Sequence, residues 1–329
     1  MHSIISNDDK TLVIEIYGLK RIFPEVWDMA KFTTNFSSEA LKRPITIDVV
    51  LPTDHEVMAN LPMPEKNRPY KTLYMLEGVT GNYSGPVNYS SIMPLAEDYN
   101  LAIVTIGGEN KWWGNSVITG DHFGKMILDV VNFTRRAFNL SRKREDTYIG
   151  GFSMGGYGAF VNGFRNPELF SRIVALDSAL NKAPILESVN EPTWDLYYRR
   201  HYEAMFGYEN IASYENSDND YEFLAAEIAK LGAEKMPKIF MGCGAQDQLY
   251  EPNIAFREYL LGLGYDVTWE EYEGKHSWYS FNKGIDAAVK WLPLDTFLDN
   301  VIYYGPESSI DGTNFAHWNA WYNVEMKEV

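Results

Sequence analysis

The chain has 329 residues, of which 45% are hydrophobic and 15% aromatic, and it carries a net charge of −16. A chain of this length and composition buries on the order of three quarters of its unfolded surface, which excludes a disordered protein. An acidic surface repels phosphate backbones and anionic lipids. We therefore expect neither nucleic acid nor membrane as a partner.

Targeting signals and cysteine usage indicate the compartment. The N-terminus has no basic segment followed by a long apolar core, and no stretch of the sequence approaches the length of a membrane span. Cys243 is the single cysteine, which excludes an internal disulfide and suits a reducing environment. The sequence therefore predicts a cytoplasmic protein.

Segments rich in apolar and β-branched residues alternate with segments of helical periodicity. The predicted strands are 11–17, 45–51, 70–76, 101–106, 147–149, 172–176, 238–242 and 267–272. The predicted helices are 91–99, 125–138, one that ends near 166, 254–263 and 283–292. The first two strands should form the antiparallel edge of a sheet, separated by a polar connection. The whole pattern predicts an α/β fold with a mostly parallel central sheet and helices on both faces.

Two regions depart from this alternation. Residues 181–231 hold aromatic helical patches, with Trp194 and Tyr202 among them, and predict a lid inserted over the site. An Asp-Asn-Asp run at 218–220 lacks the spacing of a calcium loop, so we expect no metal there. Residues 300–329 form an aromatic tail that should pack on the body, 1–299, or on a neighbouring molecule. The sequence therefore leaves two possibilities, a monomer and a homo-oligomer.

The stretch DTYIGGFSMGGYG at 146–158 predicts a strand, a sharp turn and a helix. Gly151 and Gly155 lie two residues before and two residues after Ser153, where only small residues leave room for a strained serine. Ser153 would stand at the helix N-terminus, where backbone N–H groups favour a developing negative charge. The pattern indicates a nucleophile elbow. The alternative is a serine that only caps the helix.

A nucleophilic serine needs a base, and the base needs an orienting carboxylate. Of the six histidines, His276 follows the last predicted strand directly, whereas His317 lies in the tail and should have a packing or surface role. For the acid we favour Asp247 over Asp177, because its loop adjoins the histidine loop and can reach the distal ring nitrogen. Either aspartate could instead cap a turn.

An oxyanion hole needs two donors aimed at the developing charge. We expect one from the backbone N–H of Met154 and the other from Val79, in the glycine turn that follows strand 70–76. The candidate substrate-pocket residues are Glu77, Gly78, Trp112, Trp113 and Trp278. For the two adjacent tryptophans, a core role for one of them is the alternative.

Three motifs follow one another in the chain: GFSMGGYGA at 151–159, CGAQDQLYEPN at 243–253 and EGKHSW at 273–278. Together they resemble the putative-esterase family of α/β hydrolases, which includes esterase D (S-formylglutathione hydrolase), feruloyl and acetyl-xylan esterases, tributyrin esterases and mycolyltransferases. The resemblance spans roughly residues 45–292. It implies that 1–299 is an α/β-hydrolase domain.

By motif, the resemblance implies the nucleophile at Ser153, the acid at Asp247, the base at His276, and oxyanion donors at Met154 and Val79. The chain departs from the family at Glu77, where many members have a histidine, and at Ser277, where an acidic residue is common.

These roles imply a serine carboxylesterase that needs no cofactor and no metal. Its partner would be a small acyl ester, with sugar esters and hydroxycinnamates as candidates. Two alternatives stay open. One is an acyltransferase on the same triad. The other is a binding protein that has kept the scaffold without strong activity, an interpretation that Glu77 supports.

Overall fold

The computed structural model describes residues 30–52, 68–190 and 198–294, together with the backbone of three N-terminal strands. The strands are β1 (Ser3–Ser6), β2 (Thr11–Ile16), β3 (Leu19–Pro24), β4 (Ala30–Ser38), β5 (Arg43–Leu51), β6 (Lys71–Leu76), β7 (Leu101–Ile106), β8 (Thr147–Phe152), β9 (Arg172–Leu176), β10 (Lys238–Gly244) and β11 (Val267–Tyr272). The α-helices are α1 (Gly85–Tyr89), α2 (Ile92–Asp98), α3 (Phe123–Ala137), α4 (Met154–Arg165), α5 (Lys182–Leu186), α6 (Arg199–Phe206), α7 (Tyr221–Ala229), α8 (Tyr250–Gly262) and α9 (Trp278–Trp291). Short 3₁₀ helices cover Arg144–Asp146 and Ile211–Tyr214.

The main sheet has eight strands in the order β11-β10-β9-β8-β6-β7-β5-β4. The six strands from β11 to β7 pair in parallel, and β5 and β4 complete the sheet in antiparallel pairing. Strands β7 and β8 are buried along their whole length, as continuous apolar runs between two helical layers should be. The predicted α/β-hydrolase fold, with its mostly parallel sheet, is confirmed.

Helices cover both faces of this sheet and form two cores. On one face, Ile127 of α3 and Phe160 of α4 pack with Tyr74. On the other face, Leu95 of α2 and Ile285 of α9 pack with neighbouring strand residues. Among the described residues, no helix combines the length and the apolar character needed to cross a bilayer.

The prediction for the antiparallel edge was half wrong. Segment 45–51 is strand β5, but its partner at the edge is β4, which lies in the predicted polar connection. Strand β2 instead pairs with β1 and β3 in a separate three-stranded sheet. Strand β4 alternates half-buried and exposed positions and includes polar residues, so its sequence alone resembles a polar connection. It becomes a strand because it pairs with β5 at the edge of the sheet.

The insertion at 181–231 is helical where it is described, and it packs on α4. The hydroxyl of Tyr157 in α4 donates to the backbone carbonyl of Asn219 at 2.7 Å, and the ring of Tyr157 meets Tyr221 edge to face. Trp194 lies outside the described residues, as does the tail at 300–329 with His317. A lid function for this insertion, and the domain boundary at 299, stay predictions.

The strand register brings five loops to one edge of the sheet. Leu76 pairs with Gly151, Phe152 with Leu176, Leu176 with Gly242, and Gly244 with Tyr272, so the carboxyl ends of β6, β8, β9, β10 and β11 are level. Ligand sites of open α/β sheets form at this edge. The residues that directly follow these strands therefore face one another across a single site.

Candidate active site

Ser153 lies between β8 and α4 in a strained backbone conformation, with φ 56° and ψ −123°. Its N–H donates to the carbonyl of Leu176 at 3.0 Å, and its own carbonyl accepts from the N–H groups of Gly156 and Ala179. These bonds hold a conformation that a non-glycine residue rarely adopts. The predicted strand, turn and helix are therefore present, and the helix ends at Arg165, just before Asn166-Pro167 as expected.

Gly155 shows why the elbow needs a small residue. A Cβ placed there would lie 2.6 Å from the carbonyl oxygen of Glu77 and closer still to that of Leu76. We expect Gly155→Ala to lower the free energy of unfolding by about 3 kcal/mol, because the backbone of β6 would have to move. Urea unfolding measures this loss.

Gly262→Ala is the matched control, because a Cβ at Gly262 in α8 meets nothing within 4 Å. This change should shift the unfolding free energy by no more than about 1 kcal/mol, in the stabilising direction. Equal effects of the two substitutions would contradict the steric account of the elbow.

The side chains of Ser153, His276 and Asp247 form one hydrogen-bonded chain. The Ser153 Oγ lies 2.9 Å from Nε2 of His276, and Nδ1 of His276 lies 2.6 Å from Oδ2 of Asp247. The Asp247 side chain is fully buried, whereas His276 keeps 28% of its side-chain surface exposed. This order suits a serine that passes its proton to an oriented imidazole.

Hydrogen bonds join the loop that carries Asp247 to the loop that carries His276. Gln246 donates its N–H to the carbonyl of Gly274 at 3.0 Å and accepts from the N–H of Gly274 at 2.7 Å through Oε1. Asp247 Oδ1 accepts from the N–H of Leu249 at 2.8 Å. Burial alone would raise the pKa of Asp247, but its hydrogen bonds to His276 and Leu249 outweigh burial and hold the pKa below its usual value.

The glycine turn after β6 lies directly against Ser153. A Cβ at Gly78 would lie 3.2 Å from the Cβ of Ser153, so the backbone of this turn runs beside the serine. Within the described residues, the backbone N–H groups of Val79 and Met154 donate to no protein acceptor. Both predicted oxyanion donors are thus available at the site, and the donor role stays a prediction.

Glu77 directs its carboxylate into the loop after β7. Its Oε1 accepts from the N–H of Gly108 at 2.7 Å and from that of Glu109 at 3.1 Å. A second hydrogen bond joins the turn after β6 to the loop after β7, since the N–H of Thr80 donates to Asn110 Oδ1 at 2.7 Å. Glu77 is 1% exposed, and burial raises its pKa to about 7 despite the two backbone donors. It therefore anchors the turn after β6 to the loop after β7.

Sequence similarity relates this site to known esterases. The family described as "Putative esterase" matches residues 127–292. An acetyl esterase from Caldicellulosiruptor saccharolyticus is 36% identical over 270 residues, which cover 80% of this chain and 98% of the relative. The chain belongs to the putative-esterase family.

Solved structures agree with this assignment. The S-formylglutathione hydrolase FrmB from Staphylococcus aureus is 25% identical, with a TM-score of 0.68, and the match covers 81% of this chain and 99% of FrmB. The fluorophosphonate-binding serine hydrolase FphF from the same organism is 24% identical, with a TM-score of 0.69 over 80% of this chain and 98% of FphF. As a member of this family, the protein is a carboxylic ester hydrolase.

The expectation that Trp112 and Trp113 line the pocket of this esterase is wrong for both residues. They are 1% and 0% exposed. Trp112 packs edge to face on Tyr157 and Tyr202, and Trp113 packs so closely on α4 that a Cβ at Gly158 would overlap its ring. The turn gives both tryptophans positive φ; the ring of Trp112 lies between α4 and α6, and the ring of Trp113 lies between α4 and Gly108 of the loop after β7. They are core residues.

Trp278 is the predicted pocket residue that stays at the surface of the site. Its ring is half-buried and lies 4.6 Å from the ring of Phe152, the residue before the nucleophile. The ring of Tyr89 lies 5.7 Å from the ring of Trp278, and Tyr89 is 64% exposed. We call Phe152, Trp278 and Tyr89 the aromatic shelf. Sequence reasoning missed Tyr89, which precedes the predicted helix at 91–99.

The buried carboxyl of Glu77 should make the stability of this esterase depend on pH. Its pKa of about 7 exceeds the ordinary value of 4.5, so its folded form favours the proton. The stabilising contribution is complete below pH 4.5 and is lost as the pH rises through 7. We expect Glu77→Gln to remove up to about 3 kcal/mol of the decrease in unfolding free energy between about pH 5 and pH 8.

Chemical denaturation at both pH values measures this difference. Asp177 has a raised pKa as well, so part of the decrease should persist in the variant. Glu258→Gln on the exposed side of α8 is the control and should keep the wild-type pH dependence. If Glu77→Gln also keeps it, the carboxyl of Glu77 is not the group that titrates.

Proposed function

We propose that this protein hydrolyses short-chain acyl esters through an acyl-enzyme, with Ser153 as nucleophile, His276 as general base and Asp247 as the orienting acid. The observation that carries the proposal is the chain of hydrogen bonds at 2.9 Å and 2.6 Å that starts at the strained serine of the elbow. Each distance is within the range for proton transfer or orientation.

In the proposed mechanism, Ser153 Oγ attacks the ester carbonyl while Nε2 of His276 takes its proton. The backbone N–H groups of Met154 and Val79 stabilise the oxyanion, aided by the N-terminus of α4. His276 then donates the proton to the leaving alcohol. Water, activated by the same nitrogen, attacks the acyl-enzyme and releases the acid.

For the acyl group we propose acetyl first, because the relative with 36% identity is named an acetyl esterase. For the alcohol we propose a ring, either a sugar or an aryl group, bound on the aromatic shelf. The exposed ring of Tyr89 and the half-buried ring of Trp278 offer faces on which such a ring can stack.

Hydrolysis is favoured over acyl transfer, because the exposed part of His276 admits water to the acyl-enzyme. The argument for an inactive binding protein loses its main support, because the side chain of Glu77 is engaged by the loop after β7. With its carboxyl turned to Gly108 and Glu109, Glu77 does not place a charge between the two oxyanion donors.

The experiment is hydrolysis of p-nitrophenyl acetate, butyrate and octanoate, compared with acetylated sugars and feruloyl esters, together with labelling by a fluorophosphonate probe. We expect labelling, preference for acetate over octanoate, and faster turnover of acetylated sugars than of plain ethyl acetate. Equal turnover of acetylated sugars and of ethyl acetate would overturn only the proposal that a ring binds on the aromatic shelf. A folded protein that neither labels nor turns over any ester would overturn the proposed function.

A further inference from the structure

Asp177 is a second buried carboxyl at the site, and the proposed mechanism does not use it. It follows β9 directly, is 0% exposed and adopts a left-handed backbone conformation with φ 43°. Its Oδ1 accepts from the N–H of Gly244 at 2.9 Å, and its Oδ2 accepts from the hydroxyl of Tyr272. A strained residue that brings an ionisable group into the interior requires a specific role.

The carboxyl of Asp177 lies against that of Asp247. Oxygen atoms of both aspartates and the Sγ of Cys243 lie within 4.8 Å of one another. Two buried carboxyl groups this close ionise together only at a large electrostatic cost, which favours a state in which the pair holds one proton.

The surroundings place that proton on Asp177. Asp247 accepts from His276 and from the N–H of Leu249, and both bonds favour its charged form. Burial is the largest cause that raises the pKa of Asp177 to about 7; the neighbouring Asp247 also raises it, whereas the Gly244 N–H and the Tyr272 hydroxyl lower it. The other groups that face Asp177 are Cys243 and Tyr272, and burial raises the pKa of both, so neither adds a charge.

We propose that Asp177 is a positioning residue that donates a hydrogen bond from its protonated carboxyl to Asp247 and so holds the carboxylate that orients His276. The proposal rests on the proposed function, since it assigns a role to the same site. Tyr272 and Gly244 in turn fix Asp177 from β11 and β10. The proposed acid, whose own loop follows β10, is therefore also held through Asp177, which follows β9, and through Tyr272 of β11.

A purely structural role leads to a different expectation. Asp177 ties the carboxyl ends of β9, β10 and β11 together, and its loss could loosen this edge without acting through Asp247. The two roles separate in a double-mutant cycle, because a residue that acts through Asp247 has no effect once the Asp247 carboxylate is removed.

The test uses Asp177→Ala and Asp177→Asn, each in the wild-type and the Asp247→Ala background. The rate of fluorophosphonate labelling and kcat for p-nitrophenyl acetate are measured, with melting temperatures as a check on folding. We expect Asp177→Ala to lower both rates by about 10- to 100-fold with KM unchanged, which is the range for a hydrogen bond to a charged group. Asp177→Asn keeps a donor and should retain most of the activity.

In the Asp247→Ala background, Asp177→Ala should change the labelling rate by less than about threefold. Equal losses in both backgrounds, or an Asn variant as impaired as the Ala variant, would overturn the proposal. If Asp177→Ala does not fold, Asp177→Leu replaces it as an apolar variant of larger volume. A wild-type protein that fails to label contradicts the proposed function itself, which is a separate outcome.

Discussion

Ser153→Ala should lower the turnover of p-nitrophenyl acetate by about 10⁴-fold or more and abolish fluorophosphonate labelling. Of the three hydrogen-bonded side chains, the serine is the one whose oxygen can form the acyl bond, and its Oγ lies 2.9 Å from the proposed base. The proposed oxyanion donors are backbone groups that this substitution leaves in place, so a small residual rate should persist. Release of p-nitrophenol and gel-based labelling measure the two effects.

Ser171→Ala is the matched control. Ser171 lies just before β9, at the end of the strand opposite the site, where its Oγ contacts the carbonyls of Glu145 and Thr147. Its loss should leave turnover and labelling at wild-type levels. Retention of activity in a pure sample of Ser153→Ala would show that a different residue carries out the chemistry, whatever the geometry of the elbow.

Asp247→Asn should lower kcat by about 10³- to 10⁴-fold with little change in KM. The substitution would present an amide to Nδ1 of His276, where the carboxylate now accepts at 2.6 Å, and could favour the tautomer whose Nε2 carries a proton. A protonated Nε2 cannot take the proton of Ser153. Steady-state kinetics with p-nitrophenyl acetate measure the loss.

The control for this substitution is Asp286→Asn, which removes an exposed ion pair with Lys290 on α9. Exposed pairs of this kind contribute little, so kcat should not change. A loss of less than about tenfold for Asp247→Asn would contradict its proposed role, and Asp177 would then have to be tested as the primary acid.

Local chemistry determined much of the fold and of the candidate site. The apolar runs of β6, β7, β8 and β9 require burial whatever their partners, and their periodicity is visible in the sequence. The elbow is equally local, since its strain and its glycines lie within about five residues of one another. The order of Ser153, Asp247 and His276 along the chain followed from the family motifs.

Pairings between distant segments were decided by the tertiary structure alone. Strand β4 has too polar a pattern to predict, and it joins the sheet because β5 offers it an open edge. The predicted pocket at Trp112 and Trp113 failed because a positive-φ turn, which the sequence pattern does not indicate, directs both rings into the core.

The carboxyl groups at the site also show what local sequence determines and what tertiary structure determines. Glu77 directly precedes the glycine turn in sequence, but the loop after β7, about thirty residues along the chain, supplies the N–H groups that its carboxylate accepts from. Asp177 and Asp247 were both candidates for the acid, and the strand register decided which one meets His276. Sequence determined which groups follow each strand, whereas the packing of the sheet determined which of them touch, because contact depends on register and burial rather than on position along the chain.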